Sequence, residues 1–172
     1  MSSAHTEEVV RVADQLAINE LAARYCVGID RRDRDVFLGI WTEDGNYIVG
    51  RRSGRFHGKE ELRQAIGFVS GAYASTRHWT TNHIVEFQSE GDATGISDSF
   101  AICVTHDQQP CLVAASYDDH YSKIDGRWYI RSRTVTRWFV SDPMDVGLTV
   151  PAPVPVEDSG GAAVPSAPAS RS

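Results

Sequence analysis

Cysteine is scarce in this chain of 172 residues, which contains only three. Cys26, Cys103 and Cys111 are odd in number and none belongs to a CxxC pair, so the sequence predicts neither a disulfide framework nor a zinc site. Such sparing use of cysteine is typical of a reducing compartment. We therefore expect a cytoplasmic protein.

Long apolar runs and clustered positive charge are missing too. No stretch of about 18 consecutive apolar residues occurs, which excludes a membrane-spanning helix, and the polar start from Met1 to Glu8 lacks the pattern of a secretion signal. Acidic residues outnumber lysine and arginine by 23 to 17, which gives a net charge of −6. Because nucleic acids and anionic membranes attract clustered cations, we expect neither as a partner.

The usual signatures of nucleophilic, phosphate-binding and metal sites are absent from the sequence as well. It has no GxSxG motif and no glycine-rich phosphate loop. Of its six histidines, His78 and His83 are five residues apart, so a regular strand without a bulge would point them to opposite faces. His57, His106 and His120 lack ligand-like spacing, and no metal site is predicted.

The first part of the chain contains helical periodicity. Apolar residues recur at helical spacing over residues 6–29, which predicts a long first helix with Thr6 as its N-cap. A short second helix over 36–41, a turn over 42–46 and a third helix over 59–73 are predicted next. The apolar stripe of the first helix comprises Val9, Val12, Leu16, Ala17, Leu21, Ala22, Tyr25 and Cys26.

The second part of the chain is rich in β-branched and aromatic residues. Two short strands are predicted over 47–49 and 54–57. Four long strands with short connections follow, which predicts an antiparallel meander. Helices first and strands afterwards indicate an α+β domain, with three helices packed on one face of a curved antiparallel sheet that forms a cone with an open mouth. The long strands span 77–87, 94–105, 111–124 and 127–140.

The end of the chain has a different composition. Residues 150–172 are mainly proline, alanine, serine and glycine, with almost no large apolar side chain. Such a segment buries too little surface to order itself. We therefore predict one domain over residues 1–149 and a disordered tail over 150–172.

Asp30 and His78 are the first candidates for chemistry. Asp30 follows an apolar run at the end of the first helix, and His78 lies near the start of a long strand beside Trp79. Each also has an ordinary interpretation, since aspartate favours turns and histidine is often packed in strands. If the two side chains meet, the carboxylate fixes the imidazole tautomer and leaves the other nitrogen free to accept a proton, which makes a general base.

Three stretches of the sequence resemble the SnoaL-like branch of the nuclear transport factor 2-like superfamily. They are residues 16–30, with Tyr25 and Asp30 near the end, then Trp41–Gly45, and Thr81–His83. The resemblance covers roughly residues 8–142. It implies the same α+β cone that the residue patterns predict.

Lyases of that superfamily include the hexachlorocyclohexane dehydrochlorinases, the scytalone dehydratases and the bile acid 7α-dehydratases. The dehydrochlorinase pattern His-x-x-Thr-Asn-His-x-x-Glu-Phe occurs here from His78 to Phe87. The resemblance implies that His78 abstracts a proton while Asp30 holds its ring, without a cofactor. Related lyases are often trimers, which implies a homo-oligomer, a trimer or a dimer.

The resemblance also assigns roles to Tyr25 and Arg133. Arg133 occupies the place of an active-site arginine after the tryptophan of the last strand, and its alternative is a surface arginine of that strand. Tyr25 stands where the dehydrochlorinases have a lysine and the bile acid dehydratases a tyrosine, which favours a hydroxyl, carbonyl or enolate ligand over a halide. Both side chains are expected to donate hydrogen bonds to the departing or developing oxygen.

The remaining candidates are substrate-binding residues. Asp98 matches an acidic position of these lyases and is either a site residue or the partner of Arg131 or Arg133, since a buried charge must be paired. Several aromatic residues are candidates for the pocket wall or for plain core. These are Trp41, Trp79, Phe100, Tyr117, Trp138 and Phe139.

Three functions remain open at this point. The leading hypothesis is a lyase that eliminates a group from a small, mostly apolar, cyclic substrate. A second is an isomerase or cyclase that uses the same pair on a polyketide or a steroid-like ketone and returns the proton. A third is a non-catalytic ligand-binding or assembly subunit, such as the β subunit of a ring-hydroxylating dioxygenase, because fold alone does not decide function.

Overall fold

The computed structural model describes residues 3–50 and 54–144, so the predicted tail over 150–172 lies outside the described residues. Helix α1 spans Ser3–Asp30, α2 spans Arg34–Leu38 and α3 spans Gly58–Ala72. Because α1 begins at Ser3, the prediction of Thr6 as its N-cap is wrong. Helix α2 is shorter than predicted because the chain leaves it at Gly39, while Asp33 caps its start by accepting a hydrogen bond from the Val36 backbone N–H.

Only the second half of α1 is buried. Ile18, Leu21, Tyr25 and Ile29 belong to the hydrophobic core. In contrast, Val9, Val12 and Leu16 of the predicted apolar stripe are 54–63% exposed. The periodicity thus identified a real helix, but the sheet covers only its carboxyl-terminal half.

Among the described residues, six strands form one sheet in the order β2-β1-β6-β5-β4-β3. The four long strands β3 to β6 pair antiparallel with one another in chain order, which confirms the predicted meander. Strand β1 pairs with the free edge of β6 in parallel. The alternating burial of the long strands places one face of the sheet against the helices. The strands are β1 Trp41–Val49, β2 Gly54–His57, β3 Ser75–Phe87, β4 Asp92–Val104, β5 Pro110–Ile124 and β6 Arg127–Val140.

The predicted turn over 42–46 lies inside β1 rather than before it. Trp41 pairs with Ile130 and Asn46 with Ser132, so β1 bulges between these two points. Trp41 also leaves the predicted second helix and is completely buried in the core. Tertiary packing of this indole therefore outweighs the local turn preference of the residues that follow.

The α+β fold class is confirmed: the helices cover the concave face of a curved sheet that does not close on itself. The core lies between α1, α3 and this face, and it includes Ile29, Phe37, Tyr47 and Tyr117. Among the described residues, no helix is both long enough and apolar enough to cross a membrane. The carboxyl end of α1 and the first half of β3 meet at the mouth of the cone, where Asp30 and His78 lie.

Candidate active site

Asp30 and His78 form a close pair. His78 Nδ1 lies 2.6 Å from Asp30 Oδ1, and the side chains of His78 and Asp30 are only 15% and 11% exposed. Because an ionised carboxylate can only accept, Nδ1 carries a proton and donates a hydrogen bond to Asp30. The second ring nitrogen, Nε2, has no hydrogen-bond partner among the described residues and carries an accepting lone pair when the imidazole is neutral.

Two further donors hold Asp30. The backbone N–H of His78 donates to Oδ2 at 2.8 Å, and the Thr76 hydroxyl donates to Oδ1 at 2.8 Å. Partial burial alone would raise the pKa of Asp30, but the hydrogen bonds from His78 and Thr76 and the attraction of the imidazole outweigh it and lower the pKa. Asp30 is therefore ionised near neutral pH and able to stabilise a positive charge on His78.

A close contact between two helices places Asp30. At Gly28 an added Cβ would lie 2.8–2.9 Å from the Cβ, Cα and backbone nitrogen of Phe37. Only glycine permits this approach of α1 to α2. The contact fixes the last turn of α1, and with it the carboxylate of Asp30, against β3.

His78 lines a small cavity of about 80 Å³ inside the cone. Much of its wall is aliphatic or aromatic, and its polar groups are mostly hydroxyls. Two of the candidate residues, Tyr25 and Tyr117, line it, together with Thr76, Tyr47 and Arg137, which were not among the candidates. Among the described residues, the lining contains no carboxylate, so a ligand meets the Asp30 charge only through His78.

Tyr25 and Tyr47 form a pair of buried phenols. Their hydroxyl oxygens are 2.5 Å apart, and burial raises the pKa of both groups, Tyr25 most strongly. Both phenols are therefore protonated near neutral pH. One hydroxyl donates to the other, and the second O–H remains free to donate to a ligand, whereas the Tyr117 hydroxyl already donates to Ser99.

Arg133 lies behind these rings. Its guanidinium is fully buried and sits 4.3 Å from the ring centroids of both Tyr25 and Tyr117, so the predicted surface alternative is wrong. It donates from Nε and Nη2 to the carboxylate of Asp119 at 2.8 and 2.6 Å. Burial alone would lower the pKa of Arg133, but the Asp119 carboxylate raises it well above the usual value.

The position of Arg133 corrects the prediction that it contacts the departing group. Arg133 is not part of the cavity wall, because the rings of Tyr25 and Tyr117 cover it. The positive charge of Arg133 therefore lies one aromatic ring away from the cavity, behind Tyr25 and Tyr117. Its Nη1 group is buried and has no acceptor among the described residues.

A bulge in β3 changes the expected position of His83. Between Thr81 and Ile84 the pairing with β4 shifts, and Asn82 adopts a left-handed conformation with φ 53°. His83 consequently lies on the inner side with His78, although a regular strand would separate them. Within the described ranges no group of three or more His, Cys, Asp or Glu side chains has the geometry of a metal site.

His83 belongs to a different network from His78. Its Nε2 lies 3.0 Å from the Tyr121 hydroxyl, which itself donates to Asp119 at 2.6 Å. Since the Tyr121 hydroxyl donates its proton to the hydrogen bond with Asp119, His83 Nε2 is the donor in its hydrogen bond with the Tyr121 oxygen. Burial lowers the pKa of His83, which keeps its ring neutral in this role.

Asp98 lies outside the cavity. It pairs in register with Thr81 on the outer face of the sheet, and its carboxylate accepts a hydrogen bond from Asn82 at 2.7 Å. The prediction that Asp98 lines the pocket is wrong, and so is its predicted pairing with Arg133, whose carboxylate partner is Asp119. Strand alternation decides this, since the neighbouring Ser97 and Ser99 face inward and are buried.

The other aromatic candidates are also outside the cavity wall. Trp41 is core, whereas Trp79 and Phe100 form a pair on the outer face, 50% and 40% exposed. Trp138 and Phe139 are likewise exposed, at 57% and 50%. Of the six aromatic candidates, only Tyr117 lines the cavity.

Asp119 was not predicted as a partner of Arg133, although the alternation along β5 indicates its inward position. Asp119 alternates with Tyr117 and Tyr121 on β5, so it had to share their inward face, where a carboxylate needs a cation. Tyr47 and Thr76 carried no comparable signal. Their roles depend on contacts with Tyr25 and Asp30, which are distant in sequence.

A comparison with protein families bears directly on this arrangement. The model of the SnoaL-like domain matches residues 10–134, most of the chain. The chain belongs to the SnoaL-like family. The expected family is therefore confirmed.

Similar proteins of known name include two hexachlorocyclohexane dehydrochlorinases. The chain is 30% identical over 120 residues to hexachlorocyclohexane dehydrochlorinase 1 of Sphingobium indicum, covering 69% of this chain and 77% of that protein. It is 27% identical over 132 residues to a gamma-hexachlorocyclohexane dehydrochlorinase of the same species, covering 75% and 84%. These similarities support an enzyme of the lyase or isomerase type.

Solved structures agree with the fold of this SnoaL-like chain. The hexachlorocyclohexane dehydrochlorinase LinA-type3 of Novosphingobium barchaimii superposes with a TM-score of 0.77 at 25% identity, covering 84% of this chain and 99% of that one. A putative scytalone dehydratase of Novosphingobium aromaticivorans gives a TM-score of 0.72 at 18% identity, covering 80% and 92%. The second comparison speaks for the fold alone.

Proposed function

We propose that this SnoaL-like protein is a cofactor-independent lyase of the dehydratase or dehydrohalogenase type, which acts on a small, mostly apolar, cyclic substrate. The observation that carries the proposal is the 2.6 Å contact between His78 Nδ1 and Asp30 Oδ1 beside the cavity. A histidine with one nitrogen held by a carboxylate and the other free toward a ligand is arranged as a general base. The similarity to dehydrochlorinases supports the same class of reaction.

In the proposed reaction, His78 Nε2 removes a proton from a carbon of the substrate. The electron pair of the broken C–H bond forms a C=C double bond, and the leaving group on the adjacent carbon departs with the electrons of its own bond. The imidazole becomes positively charged at this step. Asp30 stabilises that charge at hydrogen-bond distance and keeps the ring from turning.

The phenol pair favours an oxygen substituent on the substrate. Tyr25 and Tyr47 together leave one O–H free to donate, and the positive charge of Arg133 lies 4.3 Å below the Tyr25 ring. A donor with a cation behind it stabilises negative charge that develops on a hydroxyl or carbonyl oxygen. We therefore place a dehydratase ahead of a dehydrohalogenase.

The same observation supports a second candidate, an isomerase or cyclase of a ketone. There the phenol pair stabilises an enolate oxygen, and His78 returns the proton at another carbon. The cavity of about 80 Å³ favours a monocyclic ketone over one of steroid size, because pockets for larger ligands are typically about 300–1,000 Å³. Product mass separates the two reactions, because elimination loses water or acid and isomerisation loses nothing.

Turnover of a panel of small cyclic alcohols, halides and ketones, followed by mass spectrometry, tests the proposal. We expect His78→Ala to lower kcat/KM by roughly 10²–10⁴, the usual contribution of general base catalysis. Asp30→Asn should lower it by less, since the ring loses its fixed tautomer but remains in the cavity. Deuterium at the abstracted position should slow the wild-type reaction.

Matched controls are His120→Ala and Asp125→Asn, both exposed and far from the pair in the sheet. They should leave kcat/KM unchanged. Wild-type turnover that survives His78→Ala would refute the mechanism. Binding of panel compounds without any turnover would instead favour the non-catalytic, ligand-binding alternative.

We also propose that the chain forms a homo-oligomer through the outer face of its sheet. Trp79 stands beside Phe100, and Ile84 beside Ile96, with Trp138 further along the same face. These five side chains are 40–57% exposed. Monomeric proteins rarely expose an apolar patch of this kind to water. We therefore propose that other copies of the chain bury it.

A further inference from the structure

Strand β6 places two arginines on the concave side of the sheet at different depths. Arg133, Val135 and Arg137 alternate along the strand and face the same way. Exposure rises along this series, from 0% at Arg133 through 7% at Val135 to an exposed Arg137. The series therefore runs from the closed end of the cone to its mouth, and its two ends are roughly 13 Å apart.

The charge of Arg133 is neutralised and that of Arg137 is not. Arg133 has a bidentate ion pair with Asp119. Arg137 lines the cavity, and among residues 3–50 and 54–144 it has neither an ion pair nor a hydrogen-bond partner. In a chain of net charge −6, this leaves an uncompensated cation beside the cavity.

The surroundings of Arg137 also lack competing charge. No Asp, Glu or Lys of the described residues lines the cavity, and both Asp30 oxygens are engaged by Thr76 and His78. Burial raises the pKa of Tyr73 and of Cys103, and the positive charge of Arg137 opposes both shifts. The guanidinium thus acts on two other residues of the cavity wall.

We infer that Arg137 binds a carboxylate of the substrate, so that the protein acts on small cyclic carboxylic acids. The planar guanidinium matches a carboxylate with two parallel hydrogen bonds. With the acid group at the mouth, the ring lies against aliphatic residues such as Ile29, Val49 and Val113, within the cavity that His78 also lines. This inference rests on the proposed function and specifies its substrate class.

Binding of matched probes tests the inference without requiring turnover. Cyclohexanecarboxylate and cyclohexanecarboxamide have the same ring and differ in charge. Isothermal titration calorimetry at fixed salt should show that the wild-type protein binds the carboxylate roughly tenfold more tightly than the amide. Arg137→Gln should abolish this preference. Arg137→Lys should keep part of it, because lysine retains the charge but lacks the two parallel N–H donors of the guanidinium.

Arg131→Gln is the matched control, since Arg131 is an exposed arginine of the same strand that does not line the cavity. It should leave the preference unchanged, and circular dichroism should show that all variants are folded. Equal binding of the two probes by the wild type, a preference that survives Arg137→Gln, or no measurable binding of either probe would overturn the inference.

Failure of this inference is distinguishable from failure of the proposed function. His78→Ala should bind the carboxylate as the wild type does, because it lacks the base but keeps Arg137. If Arg137 binds carboxylates while no acid is turned over, the binding site stands and the lyase proposal falls. If the wild type eliminates panel compounds but binds the carboxylate and the amide probe equally, the lyase proposal stands and the carboxylate site falls.

Discussion

Asp30 accepts three hydrogen bonds, and all three donors come from one short segment of β3. Two of them belong to His78, one from its ring and one from its backbone. The carboxylate therefore fixes both the tautomer of the base and the position of its strand. Stability and proposed chemistry depend on the same charge.

The lowered pKa of Asp30 predicts how stability depends on pH. Because the folded-state pKa is below the unfolded one, the ionised carboxylate stabilises the fold above about pH 4, and this contribution is lost as pH falls through the folded-state pKa. At pH 7, Asp30→Asn should reduce the free energy of unfolding by about 1–3 kcal/mol. Urea unfolding at a series of pH values from 7 to 3 should show the difference between wild type and variant narrowing below about pH 4.

Asp125→Asn serves as the control for this series, because Asp125 is an exposed turn residue with φ 50°, a conformation that asparagine tolerates. Its stability should follow the wild type throughout. A difference between wild type and Asp30→Asn that stays constant from pH 7 to pH 3 would contradict the prediction.

Two arginines of β6 show how depth changes the role of one residue type. Arg133 is completely buried and needs Asp119, since an unpaired charge in the core is costly. Arg137 lies four residues further along the strand, at the mouth, where solvent removes the need for a partner. The same side chain is structural at one depth and available to a ligand at the other.

At the scale of elements, the crossing of α1 and α2 is the contact that positions the pair. Gly28→Ala would place a Cβ within 2.8–2.9 Å of Phe37 atoms, two of which belong to the backbone. Backbone cannot give way easily, so we expect a loss of about 1–3 kcal/mol in the free energy of unfolding. Because Gly28 lies two residues before Asp30, the catalytic efficiency toward any substrate found should fall as well.

Gly67→Ala is the matched control in α3, where an added Cβ meets nothing within 4 Å. There alanine should stabilise the protein by about 0.4–1 kcal/mol, because it reduces the entropy of the unfolded chain. Chemical denaturation of both variants measures the two effects. A stable, fully active Gly28→Ala protein would show that the close crossing of the helices is unnecessary.

The bulge in β3 is the second element-scale feature that shapes the site. With Asn82 in a left-handed conformation, the strand reverses its alternation, and His83 turns inward to reach Tyr121. The same bulge lets Asn82 bond Asp98 on the outer face. One irregular residue thus links the inner network around Asp119 to the outer surface.

At the scale of the whole molecule, the exposed apolar outer face of the sheet is the basis of the proposed homo-oligomer. Light scattering coupled to gel filtration should give a mass of two or, as the family resemblance implies, three times the 19.0 kDa chain. Replacing Trp79 and Phe100 together by serine should shift this mass toward that of one chain, because the proposed contact loses its aromatic centre.

Leu16→Ser is the control, as Leu16 is 63% exposed on α1, away from the sheet face. It should leave the mass unchanged. If the wild-type protein has the mass of a single chain at all concentrations, the proposed homo-oligomer is wrong.

Local interactions made much of the fold predictable. The strands β3 to β6 were predicted to within two residues at each end, because a period of two and turns such as Asp125-Gly126 are encoded by neighbouring residues. The same holds for α3, whereas α1 begins three residues before its predicted start. Family resemblance, rather than any local pattern, singled out the pairing of Asp30 with His78.

Only the tertiary structure decided which side chains share the cavity. Asp30 and His78 are 48 residues apart, and Tyr25 and Tyr47 are 22 apart, so their contacts depend on how α1 packs on the sheet. Packing also placed Arg133 behind two rings, paired it with Asp119, and left Arg137 facing the mouth. The sequence alone determined the long helices and the strands β3 to β6, because these elements depend on neighbours along the chain. Depth, facing and charge pairing, like the start of β1, depend on neighbours in space.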